Sequence, residues 1–221
     1  MTAAQFVSDV FLKATGKQPT FVSGSTKWLK ILAIGNQYIR SWAREPGVDW
    51  HSLYTPDFPE ATVTATDTFA LDNTVKNLSR QEGDYVRIVH TDDTWTDYSI
   101  VDAPRLKDFD TGNYCAQVGR NLVFNRAFTA DDPQFGGDIF VPCYLYPEEI
   151  SLDADVVPVD DPMWLVLISA AEYVRNDITR QNQYGNLIAE ANQSMTRMKE
   201  DNESQVDDIY MPWSPLGQTW S

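Results

Sequence analysis

Apolar residues recur along this chain with two different periods, and the change of period divides it. From Thr2 to Thr15 the pattern predicts a short helix that stops at Gly16, a residue free to take the left-handed conformation of a helix C-cap, with Pro19 blocking continuation. Ser25 or Thr26 can cap a second helix. Its Trp28, Ile31, Leu32, Gly35, Tyr38, Ile39 and Trp42 recur at spacings of three and four and so share one face. Pro46 and Gly47 end it, and the aromatic stripe reads as a surface packed against other helices.

From about Ala61 to Tyr146 the period falls to two. Thr62 to Leu71 alternates threonines with Val63, Ala65, Phe69 and Leu71, Asp67 being the exception, which predicts a half-buried strand. Tyr85–His90 and Trp95–Val101, joined by Thr91-Asp92-Asp93-Thr94, predict one hairpin. Tyr114–Val118, leading through Gly119-Arg120-Asn121 into Leu122-Val123-Phe124, predicts another. The last strand, Ile139 to Tyr146, places Ile139, Val141, Cys143 and Leu145 on one face. Pro142 lacks an amide donor and predicts an edge position for it.

After Asp160 the helical period returns. Pro162 suits a first helical turn, and Trp164, Leu167, Ile168, Ala171, Val174 and Ile178 form a stripe, followed by a second of Tyr184, Leu187, Ile188, Ala191, Met195 and Met198. The polar stretch 176–183 between them reads either as a bend or as a continuous exposed surface. Beyond Met198, acids at 200, 201, 203, 207 and 208 lead into a segment with Pro212 and Pro215, which oppose a helix. Its large apolar side chains Ile209, Tyr210, Met211, Trp213, Leu216 and Trp220 suit an extended arm seeking a groove.

These periods predict an α+β chain: an antiparallel helical bundle with an inserted small antiparallel β-sandwich or barrel and an extended C-terminal arm. The expected divisions are 1–55 and 156–202 for the two parts of the bundle, 56–155 for the β insertion and 203–221 for the arm.

Charge narrows the field of partners. The 221 residues carry 17 bases and 32 acids, a formal charge of −15, which opposes binding to nucleic-acid phosphates. It is unevenly spread: residues 1–55 hold six bases (Lys13, Lys17, Lys27, Lys30, Arg40, Arg44) against Asp9, Glu45 and Asp49, so the excess of acids follows residue 55. Such asymmetry can steer the encounter with an oriented partner or with another copy. The longest apolar run, Met163 to Ile168, falls far short of the roughly 20 residues of a membrane span. The N-terminus lacks the features of a secretory signal, which predicts that the chain stays where it is made.

Candidate chemistry is sparse. Cys115 and Cys143 lie on expected strands and are expected as reduced thiols. His51 and His90 belong to no Cys-His or Ser-His motif. The acidic sets Asp131, Asp132, Asp138 and Asp153, Asp155, Asp160, Asp161 invite a calcium reading. Counted from Asp153, however, the twelfth position is Trp164 and the sixth Pro158, not the Glu and Gly of an EF-hand loop. Phosphate-loop, dinucleotide and zinc patterns are absent. No catalytic, metal or cofactor residue is predicted.

The segments Ile31–Ile39, Gly83-Asp84-Tyr85-Val86-Arg87-Ile88-Val89, Gly119–Phe124 and Ile139–Tyr144 come in an order that resembles the head-to-tail adaptor proteins of tailed bacteriophages. The helical return from Val157-Pro158-Val159-Asp160-Asp161-Pro162, with its second amphipathic run and tail, is similar to the end of short-tailed-phage adaptors, also called gatekeeper or tail tubular proteins. The resemblance implies a non-enzymatic virion protein at the head-to-tail interface, made in the host cytoplasm. It further implies a ring of copies, typically a dodecamer, beneath the portal protein, a platform for the tail nozzle or tail completion protein, and a conduit through which DNA passes without specific binding. The arm residues Ile209, Tyr210, Met211, Trp213, Leu216 and Trp220 are then the expected portal-binding set. Two other readings stand beside it: a carbohydrate- or receptor-binding β-module using exposed Trp and Tyr, and an acidic-site hydrolase. Helical flanks disfavour the first and the missing catalytic motif the second.

Overall fold

A computed structural model describes residues 1–81 and 83–209, the last five of these by their backbone alone. The chain divides into two compact units, one formed by Met1–His51 with Pro147–Ser221 and one by Ser52–Tyr146. The second is continuous in sequence, and the first is assembled from the two ends.

In the first unit, α1 (Ala3–Thr15) begins at Thr2, whose side chain and that of Gln5 bond reciprocally to each other's backbone, and ends at Gly16 with φ 71°. α2 (Thr26–Ala43) is capped by Ser25. α3 (Pro162–Val174) is capped by Asp161, which accepts the Met163 N–H at 2.8 Å. α4 (Gln181–Ile209) follows a short 3-10 turn at Ile178–Arg180. α1, α2 and α4 all pack on α3. That is why α3 is apolar over most of its surface: Leu165, Val166, Ala170 and Ala171 are fully buried, and Trp164, Leu167 and Val174 nearly so. Ile178, expected on that stripe, is 86 % exposed. Gly35 lets α1 and α2 approach closely, since a Cβ there would lie 2.7 Å from the Phe6 ring. Trp42 and Trp50 stack at 5.0 Å between centroids, with the Trp50 Nε1–H donating to the Trp42 carbonyl at 2.8 Å.

The second unit is one eight-stranded sheet of β1 (Tyr54–Thr62), β2 (Thr68–Ala70), β3 (Val75–Leu78), β4 (Tyr85–Val89), β5 (Trp95–Ile100), β6 (Tyr114–Val118), β7 (Asn121–Phe124) and β8 (Asp138–Leu145). Its order is β1-β8-β4-β5-β6-β7-β2, with β3 also pairing to β8. Both expected hairpins, β4–β5 and β6–β7, are present and antiparallel. Asp93 at φ 63° makes the first turn and Gly119 at φ 61° the second. The β5–β6 pairing, in contrast, is parallel, joined through a 3-10 segment at Ala103–Asp108.

The expected plan of an antiparallel helical bundle with an inserted small sandwich or barrel is corrected here. The chain is mixed α/β, with a single curled sheet of half-barrel form, and α1, α2 and α4 each pack on α3. The curl follows from chain reach. From β1 to β2 the path crosses six strand spacings, about 29 Å if flat. Thr62 and Thr68, the end of one and the start of the other, are six residues apart and can span at most about 21 Å. The sheet therefore curls around Val86, Ile88, Tyr98, Leu122, Phe124 and Ile139. Arg120 helps hold the curl, its guanidinium donating to the carbonyls of Val75, Leu71 and Asp72.

Two strand expectations change with it. The run Thr62–Leu71 is not one strand: residues 63–67 form the crossing between β1 and β2, with Val63 N–H bonding to the Gly137 carbonyl and Phe128 N–H to the Thr66 carbonyl. Pro142 does not mark an edge, because β8 pairs with β1 on one side and with β4 and β3 on the other. Within a strand a residue's N and O point to the same side, and Pro142 O accepts from Ser79 N–H at 2.8 Å. Its missing donor thus faces the seam where β4 gives way to β3, where no partner requires it. The terminal strand β1 carries Pro56 and Pro59 and two register shifts, which blunt it against further pairing.

The extended arm expected from residue 203 begins instead as helix, since α4 continues to Ile209. Among the described residues, no helix is long and apolar enough to cross a membrane.

Candidate functional site

The candidate binding residues lie at and beyond the end of α4, so the site is built from what holds that helix. At its start, Arg180 donates to the Ala14 carbonyl and pairs with Asp177 at 3.1 Å, while Gln183 Nε2 donates to the Lys13 carbonyl at 2.6 Å. In its middle, Leu187 and Ala191 are buried, and the Ser194 hydroxyl donates to Asp161, the cap of α3. Toward its far end Met198 is buried and Lys199 Nζ pairs with Glu45 at 2.5 Å.

Asn202 is the last fixed point. Its amide is buried; Oδ1 accepts the His51 N–H at 2.7 Å and Nδ2 donates to the Asp49 carbonyl at 3.1 Å. Asn202 is not among the residues the sequence marks out for the site. Its position four residues after Met198, on the face of Leu187 and Ala191, was the signal that it is a buried polar clamp.

From Asn202 the helix runs on to Ile209, about 10 Å at 1.5 Å per residue. Glu200, Asp201, Glu203 and Ser204 are exposed. No base occupies the last turn, where Asp207 and Asp208 stand at the negative end of the helix dipole. An acidic end of this kind attracts cations. Of the expected portal-binding set, Ile209 is the final helical residue, described by its backbone; Tyr210, Met211, Trp213, Leu216 and Trp220 lie outside the described residues.

The other candidate groups are occupied with structure. Cys115 and Cys143 are buried free thiols; burial raises the pKa of both, that of Cys143 to about 12, so neither is poised as a nucleophile. His90 bonds through its ring to the hydroxyls of Thr96 and Thr94, at 2.8 and 3.0 Å. The acidic sets are turns and caps. Asp132 accepts from the Thr129 N–H and hydroxyl, and Asp155 from the Leu152 and Ser151 N–H groups, bonds that hold both carboxyls below the usual range. Asp138 accepts from Thr62, Asp153 from Ser23, and Asp161 caps α3. Among the described residues no three His, Cys, Asp or Glu side chains converge as a metal site. Trp95 is exposed on the β4–β5 hairpin, with the Arg87 guanidinium 5.6 Å from its ring centre and bonded to Asp97 at 2.8 Å.

No family model matches this chain, and no curated protein matches it.

Proposed function

We propose that this chain is a structural head-to-tail adaptor of a tailed bacteriophage, non-enzymatic, which forms a ring under the portal and offers a platform for later tail components. The observation that carries this reading is α4. A helix clamped as far as Asn202 continues through the exposed Glu203 to Ile209, and the sequence that follows it is rich in Tyr, Met, Trp and Leu. That segment suits docking into pockets of a partner. Pro212 and Pro215 limit its conformations and so reduce the entropy lost on ordering. Burial of Trp213 and Trp220 would each contribute about 2 kcal/mol or more, the scale of interface hot spots. The formal charge of −15 suits a passage that DNA crosses without adhering.

Deletion of residues 210–221 tests the docking role. The shortened chain should keep its thermal midpoint within a few degrees and its cooperative unfolding, yet no longer cosediment with portal rings in analytical ultracentrifugation. Unimpaired cosedimentation would overturn the proposed role of the arm.

A further inference from the structure

The helical unit carries a face that is opposite in charge to the end of α4. Lys13 and Lys17 lie around the end of α1, and Lys27 and Lys30 in the first turns of α2; all four are exposed, and none has a carboxylate within ion-pair distance among the described residues. Two of them stand over aromatic rings. Lys27 Nζ is 6.0 Å from the Phe11 centroid and Lys30 Nζ 4.8 Å from that of Tyr173, while Phe11 meets Tyr173 at 6.2 Å. Beside Lys30, a groove lined by Ile34, Tyr173 and Ile178 leaves apolar surface in water. Glu172 and Asp177 line the same groove and are engaged: Glu172 with Arg175 and the Tyr38 hydroxyl, Asp177 with Arg180 and Thr179. α2 has no acid in its first turn, so the positive end of its dipole adds to the lysines.

The two charged regions cannot meet within one molecule. The start of α4 is bonded to the lysine face, through Arg180 to Ala14 and Gln183 to Lys13. Along the same helix, Glu200 lies about 29 Å and Ile209 about 42 Å from that start. One helix thus starts beside an anion-attracting face and ends in a cation-attracting tip.

We infer that the lysine–aromatic face of α1, α2 and α3 is the docking site for the acidic end of α4, residues 200–209, of a second copy of this chain. The contact is head-to-tail, joining two different surfaces, and repeats into a ring or a filament according to its rotation. Residues 210–221 of the docked copy are left for the portal. Closure into a ring rests on the proposed function; the contact between two copies does not, and it forms without a portal.

A zero-length carbodiimide cross-linker applied to an equal mixture of 14N- and 15N-labelled full-length chain at low salt tests this. Mixed-isotope conjugates should join Lys27 or Lys30 to Glu203, Asp207 or Asp208. The K27E/K30E variant and the E203K/D207K/D208K variant each lack one reacting group of these conjugates and set like charges opposite each other, so each, alone, should lose them altogether. Mixing the two variants should restore the original conjugates, between the unaltered lysine face of one and the unaltered acidic tip of the other, and should add conjugates joining positions 27 or 30 to 203, 207 or 208 with the reacting groups exchanged. Conjugates of a single isotope only, none at these residues, or no exchanged-group conjugates in the mixture of the two variants would overturn the inference. Portal cosedimentation of wild-type chain is measured separately. Conjugation without portal attachment sinks the adaptor reading alone, and attachment without conjugation sinks this contact alone.

Discussion

Replacing Asn202 by Ala should release the far end of α4 while leaving the rest of the chain folded. The side chain makes two hydrogen bonds from a buried position, 2.7 Å to the His51 N–H and 3.1 Å to the Asp49 carbonyl. At about 1 kcal/mol net for each, with a further fraction for the space left by the amide, the expected loss is about 2–3 kcal/mol. Much of it falls on the last turns of the helix, where Lys199 with Glu45 is the remaining tie and is partly exposed, contributing under about 1 kcal/mol. Hydrogen exchange followed by mass spectrometry should show lost protection from about residue 199 onward with little change in α3, and urea unfolding should show a lowered midpoint. Asn202→Asp should be equally damaging, because a carboxylate oxygen would face the Asp49 carbonyl where the amide now donates. A stability change below about 0.5 kcal/mol with unaltered exchange beyond Met198 would refute the clamp.

Arg120→Ala should destabilise the β unit by about 1–2 kcal/mol in chemical unfolding, since one guanidinium serves the carbonyls of Leu71, Asp72 and Val75; Arg120→Lys should recover only part, lacking the planar fork. Asp72, Asp132, Asp155 and Asp177 all have carboxyl pKa values lowered by hydrogen bonds from neighbouring threonine, serine or backbone groups. Their folded values lie below the unfolded value of about 3.9, so the stabilisation is present above that pH and is lost as pH falls through the folded values. The urea midpoint should therefore decline below about pH 4, and a midpoint that rises steadily toward pH 3 would contradict this. Glu60 is shifted upward by burial, the opposite sign, so Glu60→Gln should stabilise slightly at pH 7 and have no effect at pH 3 by the same unfolding assay.

Where local rules govern, the fold was legible in the chain. Thr2, Gly16, Ser25 and Asp161 bound helices as their capping chemistry requires, and Asp93 and Gly119 sit in the turns of the two hairpins. What stayed hidden depends on partners distant in sequence. Pro56 and Pro59 masked β1, which forms because a terminal strand can dispense with donors on its outer side. Pro142 pointed to an edge, and only the presence of both β3 and β4 along one side of β8 makes it central. Alternation along Thr62–Leu71 gave no sign that five residues must cross the mouth of a curled sheet, and the parallel β5–β6 pair has no signature separate from the antiparallel ones. α4 runs through Gly185 and the acids at 200–208 because burial of Leu187, Ala191 and Met198 and the Asn202 bonds outweigh weak local preferences. For the candidate site, the aromatic segment was visible as composition, whereas the clamp that holds α4 at Asn202 was not.

Electron microscopy of portal rings mixed with this chain tests the adaptor reading most directly. Particles from the full-length protein should show a closed ring of additional density, of the portal's own symmetry, on one face of the portal, and W213A/W220A should remove that density while keeping the fold. Bare portal rings in the presence of excess full-length, folded protein would contradict it.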